Sequence, residues 1–138
     1  MGSVRQQISI AAGTRDIWRS LTTGEGLLGW WAVTARIDAH EGGLVVLRVL
    51  GATGEEVEQR GMLHELRPVR RVEMAFEGRG EGPEAGCRVE FLVARDGDET
   101  RIALTCSGPS LDDEAKRAAS DVLWKKRLEA LRDNFEQN

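Results

Sequence analysis

The chain has no tyrosine, two cysteines, two histidines and three prolines. Cys87 and Cys106 are too few and too far apart for a zinc or Cys-x-x-Cys redox motif. His40 and His64 stand alone, so neither a metal site nor a cofactor is expected. No apolar run approaches the roughly 18 residues needed to span a bilayer. The opening segment Met1-Gly2-Ser3-Val4-Arg5 lacks the apolar stretch of a signal peptide. Gln6 stands where a myristoylation motif needs serine or threonine. These absences point to a cytoplasmic chain with reduced thiols and no membrane insertion. A formal charge of −4 argues against a nucleic-acid partner. The basic residues are also scattered, apart from small groups at Arg67-Arg70-Arg71 and Lys125-Lys126-Arg127.

What remains is an ordinary soluble composition, 41% apolar and 30% charged. At 138 residues the chain is expected to form one domain, residues 1–138, large enough for its own core. With tyrosine absent, four tryptophans carry most of the large aromatic surface, and each buries about 150–250 Å². Trp18 lies in an early helical segment, Trp30-Trp31 follow a second, and Trp124 sits in a C-terminal helix. The stretch between reads mostly as strand, so aromatics from both chain ends should close one core around a sheet.

Local signals give the element order. Ile8-Ser9-Ile10-Ala11 alternates like a first strand. Thr14 is placed to cap the next helix, whose apolar face is Ile17, Trp18 and Leu21. Thr22-Thr23-Gly24-Glu25 contains a capping box, predicting a second short helix to about Gly29. Val33, Ala35 and Ile37 alternate, Leu44 to Leu50 is nearly all apolar, and a long strand runs through Leu66. Val72, Met74 and Phe76 mark another strand, whereas Glu77 to Gly86, rich in glycine and glutamate, predicts a mobile exposed loop.

Asp96-Gly97 is a favoured type I′ turn pair. A hairpin built on it sets Arg95 opposite Asp98, Phe91 opposite Ile102, Val89 opposite Leu104 and Cys87 opposite Cys106. One face is then almost wholly apolar, which a one-residue slip would destroy. The cysteines would be packed, reduced cross-strand neighbours. Ser110 with Asp113 forms a capping box for the last helix. On that helix Leu111, Ala115, Ala118 and Val122 share one face, and Trp124, Leu128, Leu131 and Phe135 another. The change of phase has two readings. The helix begins later than its cap suggests, or its small-residue half borders a cavity or a partner. The second reading is preferred here.

Taken in order, several stretches carry a family likeness. They are Ile8-Ser9-Ile10, Ile17-Trp18, Leu21-Thr22, Trp30-Trp31, Gly42-Gly43, Gly61-Met62-Leu63-His64-Glu65-Leu66 with Pro68, Thr100-Arg101-Ile102-Ala103-Leu104-Thr105, and Trp124 with Leu128 and Leu131. With these the chain resembles the START-like, birch-pollen-allergen-like superfamily often labelled SRPBCC. Within it the chain is similar to bacterial homologues of the heat-shock-protein-90 ATPase activator. The resemblance implies an α+β helix-grip fold. In that fold a curved antiparallel sheet of six to seven strands wraps a long C-terminal helix, and two short helices follow the first strand. It also implies a hydrophobic cavity between sheet and helix that holds apolar molecules, and a link to the stress response. The usual proline before the first helix is replaced at Ala12-Gly13-Thr14. The separate N-terminal domain of the eukaryotic co-chaperone is absent from this sequence.

Catalytic patterns are sparse. No serine sits in a G-x-S-x-G setting, and the glycines form neither a P-loop nor a dinucleotide fingerprint. His64 is either a general base in the cavity or a histidine on the surface, the commoner case. Two registers can be drawn across Pro68, leaving open which of His64 and Glu65 faces inward. Arg48 interrupts an apolar strand, either to bind a ligand carboxylate or simply on the solvent face. Glu58 and Arg60 fit an exposed ion pair.

The sequence reads first as a non-enzymatic protein that binds a small apolar ligand. The expected cavity residues are Trp30, Trp31, Arg48, Leu63, His64, Met74, Phe76, Phe91, Leu104 and Val122. A cyclase-like or dehydratase-like enzyme using the same cavity is the alternative, and a co-chaperone-like interaction module is a third class. A homodimer and a chaperone partner both remain open.

Overall fold

The computed structural model describes residues 2–51 and 53–136. Strand β1 is Ser3–Ile10, followed by helix α1, Thr14–Thr22, and a single 3-10 turn, Glu25–Leu27. Five strands then run as a meander: β2 Thr34–Ile37, β3 Leu44–Leu50, β4 Glu56–Arg67, β5 Arg71–Phe76 and β6 Arg88–Asp96. Strand β7, Glu99–Ser107, leads through a 3-10 turn, Pro109–Asp112, into helix α2, Glu114–Glu136. All seven strands form one curved antiparallel sheet of order β1-β7-β6-β5-β4-β3-β2. The chain thus starts at one edge of the sheet and crosses to the other through α1 and its turn. This is the α+β helix-grip architecture expected from the sequence, with seven strands.

Alternation decides which face is buried. Val45, Leu47 and Val49 of β3, Val72, Met74 and Phe76 of β5, and Val89, Phe91 and Val93 of β6 all point to the concave side. Trp124, Leu128 and Leu131 of α2 close over them.

The β6–β7 hairpin keeps the expected faces but not the expected partners. Phe91 lies opposite Leu104, Val93 opposite Ile102 and Val89 opposite Cys106, two residues away from the predicted register. Asp96 pairs with Glu99, so Gly97-Asp98 is the turn, and Gly97 alone has positive φ (63°). That is the pattern of a type II′ turn, which takes glycine first. A shift of two preserves inside and outside, so apolar alternation could not tell the two registers apart. Cys87 therefore precedes β6 and lies diagonal to Cys106 rather than across from it.

Both predicted N-terminal helix starts move. Gly13 precedes α1 with no side-chain cap, leaving Thr14 as the first helical residue. The second helix is only the 3-10 turn, where the Thr23 hydroxyl accepts from the Gly26 N–H at 2.9 Å. Helix α2 also begins later than its expected cap at Ser110. The Asp113 carboxylate accepts from the Lys116 N–H at 2.9 Å, and Ser110 belongs to the preceding turn.

The turn between β4 and β5 contains a strained residue. Arg70 N–H bonds to the Arg67 carbonyl at 2.9 Å, with Pro68 and Val69 between them. Val69 adopts φ 57°, a left-handed conformation that β-branched side chains resist. Asparagine tolerates it, so Val69→Asn should stabilise the chain by about 1 kcal/mol. A urea midpoint that falls or stays unchanged would contradict this.

Candidate functional site

The concave interior is lined by aromatic rings that meet edge to face. Trp31 is 5.1 Å from Trp124, 5.8 Å from Phe91 and 6.0 Å from Phe76, and Trp30 stands 6.1 Å from Phe91. Both Trp30 and Trp31 are buried, because the turn after Leu27 folds the pair under the sheet. Trp30 anchors itself by donating from Nε1 to the Gly26 carbonyl at 2.8 Å. Leu63, Met74 and Leu104 complete the apolar wall, fully buried.

A charged group lies inside this wall, delivered by the β5–β6 loop. The sequence predicts an exposed loop from Glu77 to Gly86, yet Glu84 within it is 0% exposed. Two turns bring it in: Ala85 N–H bonds to the Gly82 carbonyl at 3.0 Å, and Cys87 N–H to the Glu84 carbonyl at 2.9 Å. Gln59, inward on β4, accepts from the Glu84 N–H at 2.7 Å and donates from Nε2 to Glu84 Oε1 at 3.2 Å. Trp31 Nε1 donates to the same oxygen at 3.2 Å. Gly82 rests directly on the Gln59 side chain, where any Cβ would collide.

Arg127 of α2 answers the carboxylate. Its Nη1 stands 2.9 Å from Glu84 Oε2, and the guanidinium lies 4.6 Å from the Trp124 ring centre and 5.9 Å from that of Trp31. The Arg127 side chain is 5% exposed. The separation makes an ion pair, but its angles miss those of a hydrogen bond, so neither atom has a directed partner. Such a pair is costly to desolvate and gains from every added donor or ring face.

Helix α2 carries this arrangement because its buried stripe is partly polar. Arg117, Ser120, Trp124, Arg127, Leu131 and Phe135 follow one another at helical spacing on the inward side. Ala115, Ala118, Ala119 and Val122 face solvent. As expected, Trp124, Leu128 and Leu131 anchor the C-terminal half, while the N-terminal half borders an open groove beside β1 that Ala118 helps to line; that groove lies outside the sheet–helix interior, where the small residues were not needed.

Three of the expected cavity residues lie elsewhere. Val122 is 55% exposed on the outer side of α2. Arg48 is on the convex face of the sheet, its Nε 3.4 Å from Glu56 Oε1. His64 is also outside, 3.8 Å from Glu73. A β-bulge explains the last case. The β4–β5 pairing shifts between Leu63 and Glu65, using both registers that can be drawn across Pro68. The extra residue lets His64 and Glu65 both point outward, with Leu66 returning toward the core. Glu58 and Arg60 form the exposed ion pair expected of them, 3.6 Å apart.

On the convex face Arg71 is the hub of an ion network with Glu65, Glu73 and Glu90. The hydrogen bond from Arg71 holds the Glu65 carboxyl below its ordinary value of 4.5. A depressed carboxylate contributes stability that is present above that value and lost as pH falls through the folded one. Arg71→Met should therefore flatten the fall of stability with acid below about pH 4.5. Urea midpoints measured from pH 6 downward on both proteins check this, and parallel curves would contradict it.

Cys87 and Cys106 are free and buried. The hydrogen bond between the two thiols lowers Cys87 and raises Cys106, so the first proton leaves the pair more readily than the second. Among the described residues no three His, Cys, Asp or Glu side chains are grouped to hold a metal ion, and no helix is long and apolar enough to cross a membrane. Two concavities, of about 370 and 380 Å³, are open grooves outside the grip. One runs over β2–β4 beside Arg36, Arg48 and Arg60, the other between β1 and the start of α2.

A family model described as Activator of Hsp90 ATPase homolog 1-like protein matches residues 11–136. The chain belongs to this family. Solved structures share the fold. The Aha1 dimer from Colwellia psychrerythraea superposes with a TM-score of 0.77 at 23% identity, covering 99% of this chain and 97% of that one. An AHSA1-like protein from Aeromonas hydrophila gives 0.73 at 14%, covering 97% and 93%. A protein from Nitrosomonas europaea gives 0.80 at 14%, covering 98% and 94%. No match is found among curated proteins. Family and fold are consistent with a ligand-binding or co-chaperone-like module.

Gln59, Glu84 and Arg127 escape a reading of the sequence. Gln59 leaves a trace, as a polar residue in the inward register between Val57 and Leu63, and Arg127 another, by its phase with Trp124 and Leu131.

Proposed function

We propose that this chain is a non-catalytic cytoplasmic protein that binds one small, mainly apolar molecule between its sheet and α2. Trp30, Trp31, Leu63, Met74, Phe76, Phe91 and Leu104 are the walls, joined by Trp124. The observation that carries this reading is the buried Glu84–Arg127 pair. A core that only had to fold would gain by replacing both with apolar groups. Here a loop reaches into the aromatic interior to supply the charge, which suits an entrance that opens. Absence of catalysis is supported by His64, the candidate base, lying on the convex face.

Native mass spectrometry of the protein purified from its own cells tests the proposal. The expected result is a retained small molecule, released on mild denaturation. Bare chain mass, together with no thermal shift across a library of apolar compounds, would overturn it. Family membership favours a second reading, a module that contacts heat-shock protein 90. Acceleration of that chaperone's ATPase by the purified chain is its test. The dimeric Colwellia relative supports a homodimer here, to be checked by sedimentation.

A further inference from the structure

We propose that the interior site selects a small apolar molecule ending in a carboxylate, with Arg127 as its anchor. Glu84 occupies that anchor in the closed state as a tethered stand-in. The inference rests on reading the interior as a ligand site, and adds the ligand's chemical class and the device that gates it.

The argument starts from what would remain if Glu84 withdrew. Its side chain touches Arg127 on α2, Gln59 on β4 and Trp31 beneath the sheet. None of these belongs to the loop that carries Glu84. With the loop outside, they would present a guanidinium, a carboxamide N–H and an indole N–H around one vacated position. Gln59 Nε2 and Trp31 Nε1 donate to Glu84 there, and Arg127 supplies the opposite charge. An alcohol would leave the buried guanidinium without a counter-charge, and an amine would add a second positive charge. A carboxylate satisfies both requirements, and with the loop withdrawn its apolar tail would lie against the surrounding rings.

Glycine gives the loop the freedom to withdraw. Gly78, Gly80, Gly82 and Gly86 interrupt it, and Gly80 and Gly86 take positive φ. Such positions change conformation with little steric penalty. Glu84 also fills the anchor imperfectly, because its Oε2 lies 2.9 Å from Arg127 Nη1 without hydrogen-bond geometry. A free carboxylate, untethered to the backbone, can adopt the two-pronged arrangement that guanidinium favours. The ligand then competes with Glu84 and holds the open state only if it replaces the charge.

Ten-carbon probes separate the possibilities: decanoate, decanol and decylamine, titrated at pH 7 and followed by tryptophan fluorescence and calorimetry. The unmodified chain should bind decanoate about tenfold or more tighter than decanol, with decylamine weakest. Glu84→Gln removes the competing charge and should tighten decanoate by about a further tenfold, leaving decanol nearly unchanged. Arg127→Met should abolish the preference for decanoate. Equal binding of decanoate and decanol by the unmodified chain would overturn the carboxylate inference while sparing the binding function. So would an unchanged decanoate affinity in a folded Glu84→Gln protein. Failure of all three probes on the unmodified chain would remove the binding function and the inference together.

Discussion

Arg127→Ala is expected to cost about 3–5 kcal/mol of folding stability, because it strands the Glu84 carboxylate in an interior that excludes water. Glu84 would keep two donors on Oε1, from Gln59 and Trp31, but nothing to answer its charge at Oε2. The same substitution removes a cation from the Trp124 ring, a smaller loss of about 0.5–2 kcal/mol. Replacing both partners separates pairing from packing. Glu84→Gln with Arg127→Met carries no buried charge and should recover most of what the single change loses. Urea unfolding of Glu84→Gln, Arg127→Met and the double variant measures their coupling. Additive losses would mean that the pair does not interact as the geometry requires.

Trp124→Ala is expected to be of similar size, about 3–5 kcal/mol, for a different reason. The side chain is fully buried and touches Trp31, Phe91 and Arg127, so truncation leaves a hole among rigid rings. Its indole N–H lies by the Cys106 thiol and has no oxygen or nitrogen partner among the described residues. Little hydrogen bonding is therefore lost. Packing carries the loss. A dry apolar hole of this kind accepts small aromatic molecules. Indole should raise the melting temperature of Trp124→Ala by more than that of the unmodified chain. A loss below about 1 kcal/mol would show that the rings repack and the interior is soft.

Much of the fold could be read from alternation and turn residues. Val45, Leu47 and Val49, or Val89, Phe91 and Val93, leave little doubt about which side is buried. The hairpin partners could not be read as reliably. Two registers with the same inside and outside differ only in turn type, and Asp96-Gly97 favoured the wrong one. The site was harder for a plainer reason. Glu84 sits among glycines and other glutamates, in a composition that ordinarily means solvent. Arg127 follows Lys125 and Lys126 and looks like part of a basic surface group. Its burial follows from helix phase, since it falls on the face of Trp124, Leu128 and Leu131, but its charge and basic neighbours argue for solvent. The β4 bulge hid the outward turn of His64 in the same way, since one extra residue reverses the face without altering composition.

The four tryptophans provide the most direct test that the ligand enters the interior. Their indole N–H resonances can be followed by NMR during titration with the tightest-binding of the ten-carbon probes. The resonances of Trp31 and Trp124 should move, Trp31 most, because its acceptor is the Glu84 carboxylate that the ligand displaces. Trp18, partly exposed on α1, should stay in place. Saturable binding that shifts Trp18 or surface amides while Trp31 and Trp124 stay fixed would put the ligand outside the grip and contradict the account.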